Sequence, residues 1–254
     1  MKKRYKNLLV SGCSFSANGQ SGLPPTATSS GGCSFKEDPD YQVAQPLSWP
    51  GFVAQQLMVD SLVNTASCWH GNILIANSIL ECLNRFQYRS DDTLVLMNIS
   101  EPSRLDLPCA YDHPEVDYTH IPWNNNLIPY SYFKKNLDSK IIPKIEKNVG
   151  LEQVEQLTSN YVEFLFNFLE NRRIDFYFLT MTNFDDSCLH SVLNKFDSHW
   201  IKLTPGPSMY EYCRQTGTCV SDSDYHPNKL AHKQISNIVY NHINAQSEIH
   251  LSVL

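Results

Sequence analysis

The sequence predicts an α/β protein with a three-layer α/β/α sandwich and a mostly parallel, flavodoxin-like central sheet. Short apolar runs alternate with segments whose apolar residues recur at helical spacing, and this β-α-β order is typical of parallel sheets with helices on both faces. Of the 254 residues, 42% are hydrophobic and 18% are charged, as in globular proteins that bury a core. We therefore expect one domain over residues 1–254, with an irregular insertion at about 101–150.

The predicted strands are short apolar runs bounded by turn residues. They lie at 6–12, 61–64, 92–99, 174–180 and 199–203. The first run ends in glycine, and the run at 174–180 is rich in the β-branched and aromatic residues that favour strands. The stretch 16–39 between the first strand and the first helix is rich in Gly, Ser, Thr and Pro, which predicts a long loop of functional importance.

The predicted helices have apolar residues at a period near 3.6. They lie at 48–57, 72–86, 151–172, 188–196 and 229–243. The first begins Ser48-Trp49-Pro50, and proline is favoured in the first turn of a helix. Residues 101–148 break the pattern with repeated prolines and aromatics, and we expect this insertion to form a lid or a substrate wall.

Composition and charge exclude several function classes. The net charge of −6 argues against a protein whose main task is to hold nucleic-acid phosphates. The apolar run Leu8–Val10 after the basic start is too short for a signal peptide, and no apolar segment reaches the roughly 18 residues of a membrane span. We expect a cytoplasmic protein with neither nucleic acid nor membrane as a partner.

The eight cysteines are scattered, which favours reduced thiols over a disulfide framework. Cys213 and Cys219 are too far apart for a zinc-binding pair, and the histidines and aspartates of the insertion fit no familiar metal template. These residues are Asp112, His113, Asp117 and His120. We predict no metal and no cofactor.

The first candidate for chemistry is Ser14, in the run Gly12-Cys13-Ser14-Phe15 that ends the first strand. A serine hydroxyl is a poor nucleophile at neutral pH, so it needs a neighbouring base and an exposed position at a sharp turn. The strand followed by glycine favours such a turn. The alternative is a serine that only caps a helix or a turn.

The second candidate is His226, in a polar run just before the last predicted helix. A carboxylate two or four positions earlier, at Asp224 or Asp222, can hold the imidazole in the tautomer that accepts a proton from serine. The alternative is a polar loop whose Asp and Asn residues shape turns and cap the helix.

Together, and in this order along the chain, these segments resemble the SGNH (GDSL-like) serine hydrolases. Gly12 and Ser14 match the block after the first strand, and His226 matches the block before the last helix. Residues 64–72, which contain Gly71, resemble the glycine block after the second strand. Cys13 stands where the family usually has Asp, as in the Gly-Cys-Ser-Phe variants of bacterial and phage-related members.

The resemblance implies that Ser14 is the nucleophile, His226 the general base and Gly71 a backbone donor to the oxyanion. For the acidic member it leaves a choice between Asp224 and Asp222, or a Ser-His dyad if neither carboxylate reaches the imidazole. The family's third block is matched incompletely by residues 97–101. Further oxyanion donors are expected among Asn98, Asn72 and Ser100.

The implied function is hydrolysis of a carboxylic ester through an acyl-enzyme on Ser14. The expected partner is a small-molecule or glycan ester, such as an O-acyl or O-acetyl sugar. The aromatic residues of the insertion either stack against this substrate or fill a small core of the insertion itself. Those aromatics are Tyr111, Tyr118, Trp123, Tyr130, Tyr132 and Phe133. The alternatives are an acyltransferase on the same fold and a binding or assembly module without catalysis.

Two further polar residues have open roles in the sequence. Arg104 follows the third block and either anchors an anionic substrate or pairs with Glu101 or Asp106. His70 either lines the site or is an ordinary, partly exposed histidine. The sequence leaves the oligomeric state open.

Overall fold

The structure is a computed structural model. It describes residues 5–16, 48–66, 70–104, 106–108, 127–129, 150–185, 187–221 and 224–252. Within these ranges the chain forms an α/β fold with a parallel central sheet, as the sequence predicts.

Four parallel strands form the central sheet in the order β2-β1-β3-β6. They are β1 (Asn7–Ser11), β2 (Ser61–Asn64), β3 (Thr93–Ile99) and β6 (Asp175–Thr180). The first strand lies inside the sheet, and the chain crosses to opposite sides of it, which is the doubly wound order of flavodoxin-like folds. Two antiparallel pairs lie outside this sheet: β4 (Asp106–Pro108) with β5 (Leu127–Pro129), and β7 (Cys219–Ser221) with β8 (Asp224–Pro227).

Six α-helices cover the two faces of the sheet in the described part of the chain. They are α1 (Trp49–Leu57), α2 (Asn72–Phe86), α3 (Leu151–Asn171), α4 (Cys188–Lys195), α5 (Met209–Thr216) and α6 (Lys229–Ser252). Successive strand residues point to opposite faces. Leu8 and Val10 therefore pack in one core with α1, α5 and α6, whereas Leu9 packs in a second core with α2, α3 and α4.

The two cores explain why the strands are mainly apolar, with most of their polar residues at or near the strand ends. All seven residues of β3 are buried, because helices cover both faces of this strand. A strand buried on both sides cannot place polar residues alternately toward water. Polar groups are accommodated instead where the strands end, and the candidate site lies at that edge.

The prediction of a strand at 199–203 is wrong. A short 3₁₀ helix (Asp197–His199) precedes Trp200, which makes a single parallel bridge to Phe178. Trp200, Ile201 and Leu203 are buried, so core packing produces the apolar pattern without a continued strand. Neither α5 nor the β7–β8 hairpin is predicted, and α6 continues nine residues beyond the predicted end at Ile243, to Ser252.

Most of the insertion at 101–150 lies outside the described residues, and so do its aromatics and the histidines and aspartates considered for a metal. Its role as a lid or substrate wall stays a prediction. Among the described helices, none has the length and apolar character needed to cross a membrane.

Candidate active site

Ser14 lies in a tight turn directly after β1. The Ser16 N–H donates to the Cys13 carbonyl at 2.9 Å and closes this turn. A Cβ on Gly12 would lie 3.0 Å from the Asn98 Cβ and 3.1 Å from the Ser16 Oγ, so glycine permits the close approach of the turn to β3. The turn leaves Ser14 9% exposed at the carboxyl edge of the sheet.

Side chains from β2 and α1 hold this turn in place. The Asn64 side-chain N–H donates to the Ser16 carbonyl at 3.1 Å, and the Asn64 Oδ1 accepts the Ala66 N–H at 3.0 Å. The indole N–H of Trp49, which is fully buried, donates to the Ser16 Oγ at 3.2 Å. Buried hydrogen-bonded networks of this kind rigidify a site. The sequence points to Trp49 only as a helix start, and its contact with the serine turn is a new finding.

His226 lies on β8 with its imidazole against the nucleophile candidate. Its Nε2 is 2.8 Å from the Ser14 Oγ, although the two residues are 212 positions apart in the chain. The Phe15 ring packs against the imidazole with 4.7 Å between ring centroids. This distance is within the range expected for a nucleophile and its general base.

The hairpin and the helix start around His226 determine where β8 lies. Asn228 donates its backbone N–H to the Thr218 carbonyl at 3.0 Å and its side-chain N–H to the Cys219 carbonyl at 3.2 Å. The Asn228 Oδ1 accepts the N–H groups of Leu230 and Ala231, which caps α6. The alternative of a polar, capping segment is therefore also realised, by Asn228 rather than by His226.

A second histidine, His232, adds no positive charge near His226. Its Nδ1 accepts the backbone N–H of Trp49 at 3.2 Å, which requires that nitrogen to be unprotonated. Burial, and then the nearby His226, lower the pKa of His232 to about 4. A positive charge on His226 would therefore meet no second imidazolium.

Cys13, the residue before Ser14, is a buried thiol. Its S–H donates to the Met181 Sδ at 3.3 Å. Burial raises the pKa of the Cys13 thiol, against the opposing effect of the Arg104 charge. Because the thiolate is the reactive form of cysteine, the raised pKa keeps Cys13 inert at neutral pH.

The structure gives no side-chain geometry for an acidic partner of His226. Asp224 lies on β8, where it pairs with Ser221. Its side chain lies outside the described part of the structure, as does all of Asp222. The choice between the two aspartates stays a prediction.

The expected oxyanion donor Gly71 is already engaged in a hydrogen bond. Its N–H donates to the Asp106 Oδ1 at 3.0 Å, and the Leu74 N–H donates to the Asp106 Oδ2 at 2.9 Å. A Cβ on Gly71 would lie 2.6 Å from the Asp106 Oδ2. Glycine therefore lets a buried carboxylate cap the start of α2, and this N–H is not available to a substrate in the conformation described.

Asp106 is 3% exposed and carries an unusual pKa. Burial raises the pKa of Asp106 to about 7, although the backbone N–H groups at the start of α2 and then the charge of Arg104 favour the carboxylate. A buried charge is costly even when it accepts several hydrogen bonds. The sequence does not predict this cap, because Asp106 lies in the insertion.

The two asparagines expected near the oxyanion differ in their surroundings. Asn72 donates to the Ser100 carbonyl at 2.9 Å and accepts the Ser100 N–H at 2.7 Å, so it ties α2 to the end of β3. Asn98 is fully buried, with its Nδ2 3.7 Å from the Cys13 Sγ. The Asn98 Oδ1 has no hydrogen-bond partner among the described residues. Of the two, Asn98 lies beside the serine turn, where its Nδ2 donates to the weak acceptor Cys13 Sγ and its unpaired Oδ1 can only accept a hydrogen bond.

Comparison with known proteins gives no family assignment. No protein-family model matches the chain, and no curated protein matches it either. Among solved structures, a similar chain is a carbohydrate esterase whose active site displays divergent catalytic and non-catalytic binding functions. The two share 11% sequence identity with a TM-score of 0.43, over 96% of this chain and 69% of that chain.

Proposed function

We propose that this protein is a serine hydrolase of the SGNH type that cleaves a carboxylic ester through an acyl-enzyme on Ser14. The observation that carries the proposal is the 2.8 Å contact between the Ser14 Oγ and the His226 Nε2 at the carboxyl edge of the sheet. Ligands of open α/β sheets bind at this edge. The substrate is a small-molecule or glycan ester, and the aspartate that orients His226 is Asp224, with Asp222 as the alternative.

The proposed reaction has two steps. His226 takes the hydroxyl proton as Ser14 attacks the ester carbonyl, and it then gives that proton to the departing alcohol as the acyl-enzyme forms. In the second step His226 takes a proton from water, the hydroxide attacks the acyl group, and the proton returns to Ser14 as the carboxylic acid leaves. Each step begins and ends with a neutral imidazole.

The negative charge that develops on the carbonyl oxygen needs hydrogen-bond donors. The backbone N–H of Ser14 and the side-chain amide of Asn98 are the proposed donors, because Asn98 lies next to the serine turn. Gly71 joins them only when its N–H is released from Asp106. Each such donor is typically worth about 3 kcal/mol to the transition state.

Hydrolysis of 4-nitrophenyl acetate by matched variants tests the proposal. We expect Ser14→Ala and His226→Gln each to lower kcat by a factor of about 10³ or more. The controls are Ser11→Ala, a buried serine at the end of the same strand, and His199→Gln, a histidine bonded to the Phe176 carbonyl. Both controls should retain activity within about twofold of wild type. The proposal is refuted if the folded wild-type protein hydrolyses 4-nitrophenyl acetate no faster than Ser14→Ala does.

One observation favours a second candidate, a binding module without catalysis. The N–H of Gly71 is bonded to Asp106 rather than open to a substrate oxygen. A module of this kind would bind an ester without turning it over. Slow or absent acyl-enzyme formation in folded protein, together with saturable binding of the intact ester, would favour this candidate over the hydrolase.

A further inference from the structure

Arg104 places a guanidinium at the edge of the sheet where Ser14 lies. The residue follows β3 in a turn closed by its own N–H, which donates to the Glu101 carbonyl at 3.1 Å. Its Nη2 is 3.5 Å from the Met181 Sδ, the same sulfur that accepts the Cys13 thiol. The guanidinium is therefore separated from the residue next to Ser14 by one methionine side chain.

The charge of Arg104 is poorly compensated by the described residues. Its side chain is only 20% exposed, and the buried Nη1 has no hydrogen-bond partner among them. The Nε contact with Glu101 is long, at 3.5 Å, and that carboxylate is 44% exposed and so screened by water. A methionine sulfur is only a weak acceptor. A largely buried guanidinium in this state is costly unless a ligand completes its hydrogen bonds.

Asp106 neutralises the charge of Arg104 only in part. The hydrogen bonds that Asp106 accepts come from backbone N–H groups at the start of α2, including those of Gly71 and Leu74. The charge of Arg104 favours the Asp106 carboxylate, but burial has the larger effect and raises the pKa of Asp106 to about 7, so that a sizeable share of this carboxyl is protonated and uncharged at pH 7. The arginine therefore keeps its capacity to bind another anion.

His70 supplies a second unused polar group, close enough to Arg104 for the arginine's charge to affect its pKa. It is 4% exposed, and its Nδ1 has no hydrogen-bond partner among the described residues. Burial, and then the charge of Arg104, lower the pKa of His70 to about 4, so the imidazole is neutral at pH 7. A neutral imidazole can donate one hydrogen bond to an anion without competing for the proton.

We propose that Arg104 and His70 form a subsite beside Ser14 that binds a carboxylate carried by the acyl part of the ester substrate. An arginine fork binds both oxygens of a carboxylate in a fixed geometry, and the neutral His70 imidazole supplies one further donor. The subsite makes the enzyme selective for half-esters of dicarboxylic acids. This inference rests on the proposed ester hydrolysis for its kinetic test, but anion binding itself does not depend on catalysis.

The kinetic test compares 4-nitrophenyl monoesters of glutaric and adipic acid with the same esters whose free carboxylate is methylated. Wild type should prefer the anionic member of at least one pair by about tenfold or more in kcat/KM, as expected for a charge-assisted bidentate contact. Arg104→Met should remove the preference, mainly through KM of the anionic ester, and leave the neutral ester within about threefold. Arg104→Lys should restore part of the preference. The control is Arg89→Met, which removes an exposed arginine paired with Asp91.

A binding test separates failure of the subsite from failure of the proposed chemistry. In the Ser14→Ala background, glutarate or adipate should raise Tm, and Arg104→Met or His70→Phe should abolish that rise. Arg104→Met should not lower Tm of the ligand-free protein, since it replaces a poorly paired charge by an apolar chain of similar length. Equal kcat/KM for anionic and neutral esters with no ligand-induced rise in Tm would overturn the subsite. The subsite would also be overturned if Arg104→Met lowered Tm and lowered activity on the anionic and the neutral ester equally. Arg104 would then have a structural role.

Discussion

The buried carboxylate of Asp106 predicts an unusual pH dependence of stability. Its pKa rises from 3.8 to about 7 in the folded protein because the side chain is buried. Between these two values the folded chain binds a proton that the unfolded chain has lost, so the free energy of unfolding falls as pH rises. Three pKa units at about 1.4 kcal/mol each correspond to about 4 kcal/mol, present below pH 4 and lost by pH 7.

Replacing Asp106 by Asn removes the ionisation and keeps nearly the same shape. The variant should therefore lack this fall in stability between pH 4 and 7. The free energy of unfolding of wild type minus that of the variant should fall by up to about 4 kcal/mol between pH 4 and 7. Urea unfolding of both proteins at half-unit pH steps measures the difference, provided that both unfold in one transition.

The control for this experiment is Asp91→Asn. Asp91 is an exposed carboxylate paired with Arg89, whose hydrogen bond lowers the pKa of Asp91. This variant should retain the falling stability of wild type. If Asp106→Asn and wild type show the same slope between pH 4 and 7, the pKa of Asp106 is ordinary and the burial argument is wrong.

Three other substitutions test the packing and chemistry around Ser14. Gly71→Ala should lower the free energy of unfolding by about 1–3 kcal/mol in urea, because the new Cβ would lie 2.6 Å from the Asp106 Oδ2. Trp49→Phe removes the indole N–H that bonds the Ser16 Oγ and should lower kcat several-fold with little change in KM; an unchanged kcat would show that the turn needs no such support. Asn98→Ala should lower kcat by about 10²-fold if its amide binds the oxyanion, whereas an effect on stability alone would exclude that role.

Local periodicity predicts most of the fold. The strand at Ser61–Asn64 and the helix at Asn72–Phe86 have the predicted bounds, because each is a continuous run with one period and clear ends. The sequence does not predict the β7–β8 hairpin, since its Ser- and Asp-rich residues are typical of a loop. The prediction of a strand at 199–203 is wrong for the opposite reason. Residues that are buried outside any strand can show the same apolar pattern as a strand.

The site could be predicted only in part. The order of short motifs predicts Ser14 and His226 as candidates, and the structure brings their side chains together. The Asp106 cap on Gly71 could not be predicted, because it joins an irregular insertion to a helix start through backbone N–H groups. Hydrogen bonds of this kind depend on tertiary approach and leave no periodic signal in the chain.

Covalent labelling of Ser14 tests the central claim most directly. A fluorophosphonate should add once to the folded wild-type protein, and mass spectrometry of the digest should locate the adduct on Ser14. Ser11→Ala should be labelled at the wild-type rate, and Ser14→Ala should remain unmodified. Folded wild type without an adduct, or Ser14→Ala labelled as fast as wild type, would contradict the assignment of Ser14 as the nucleophile.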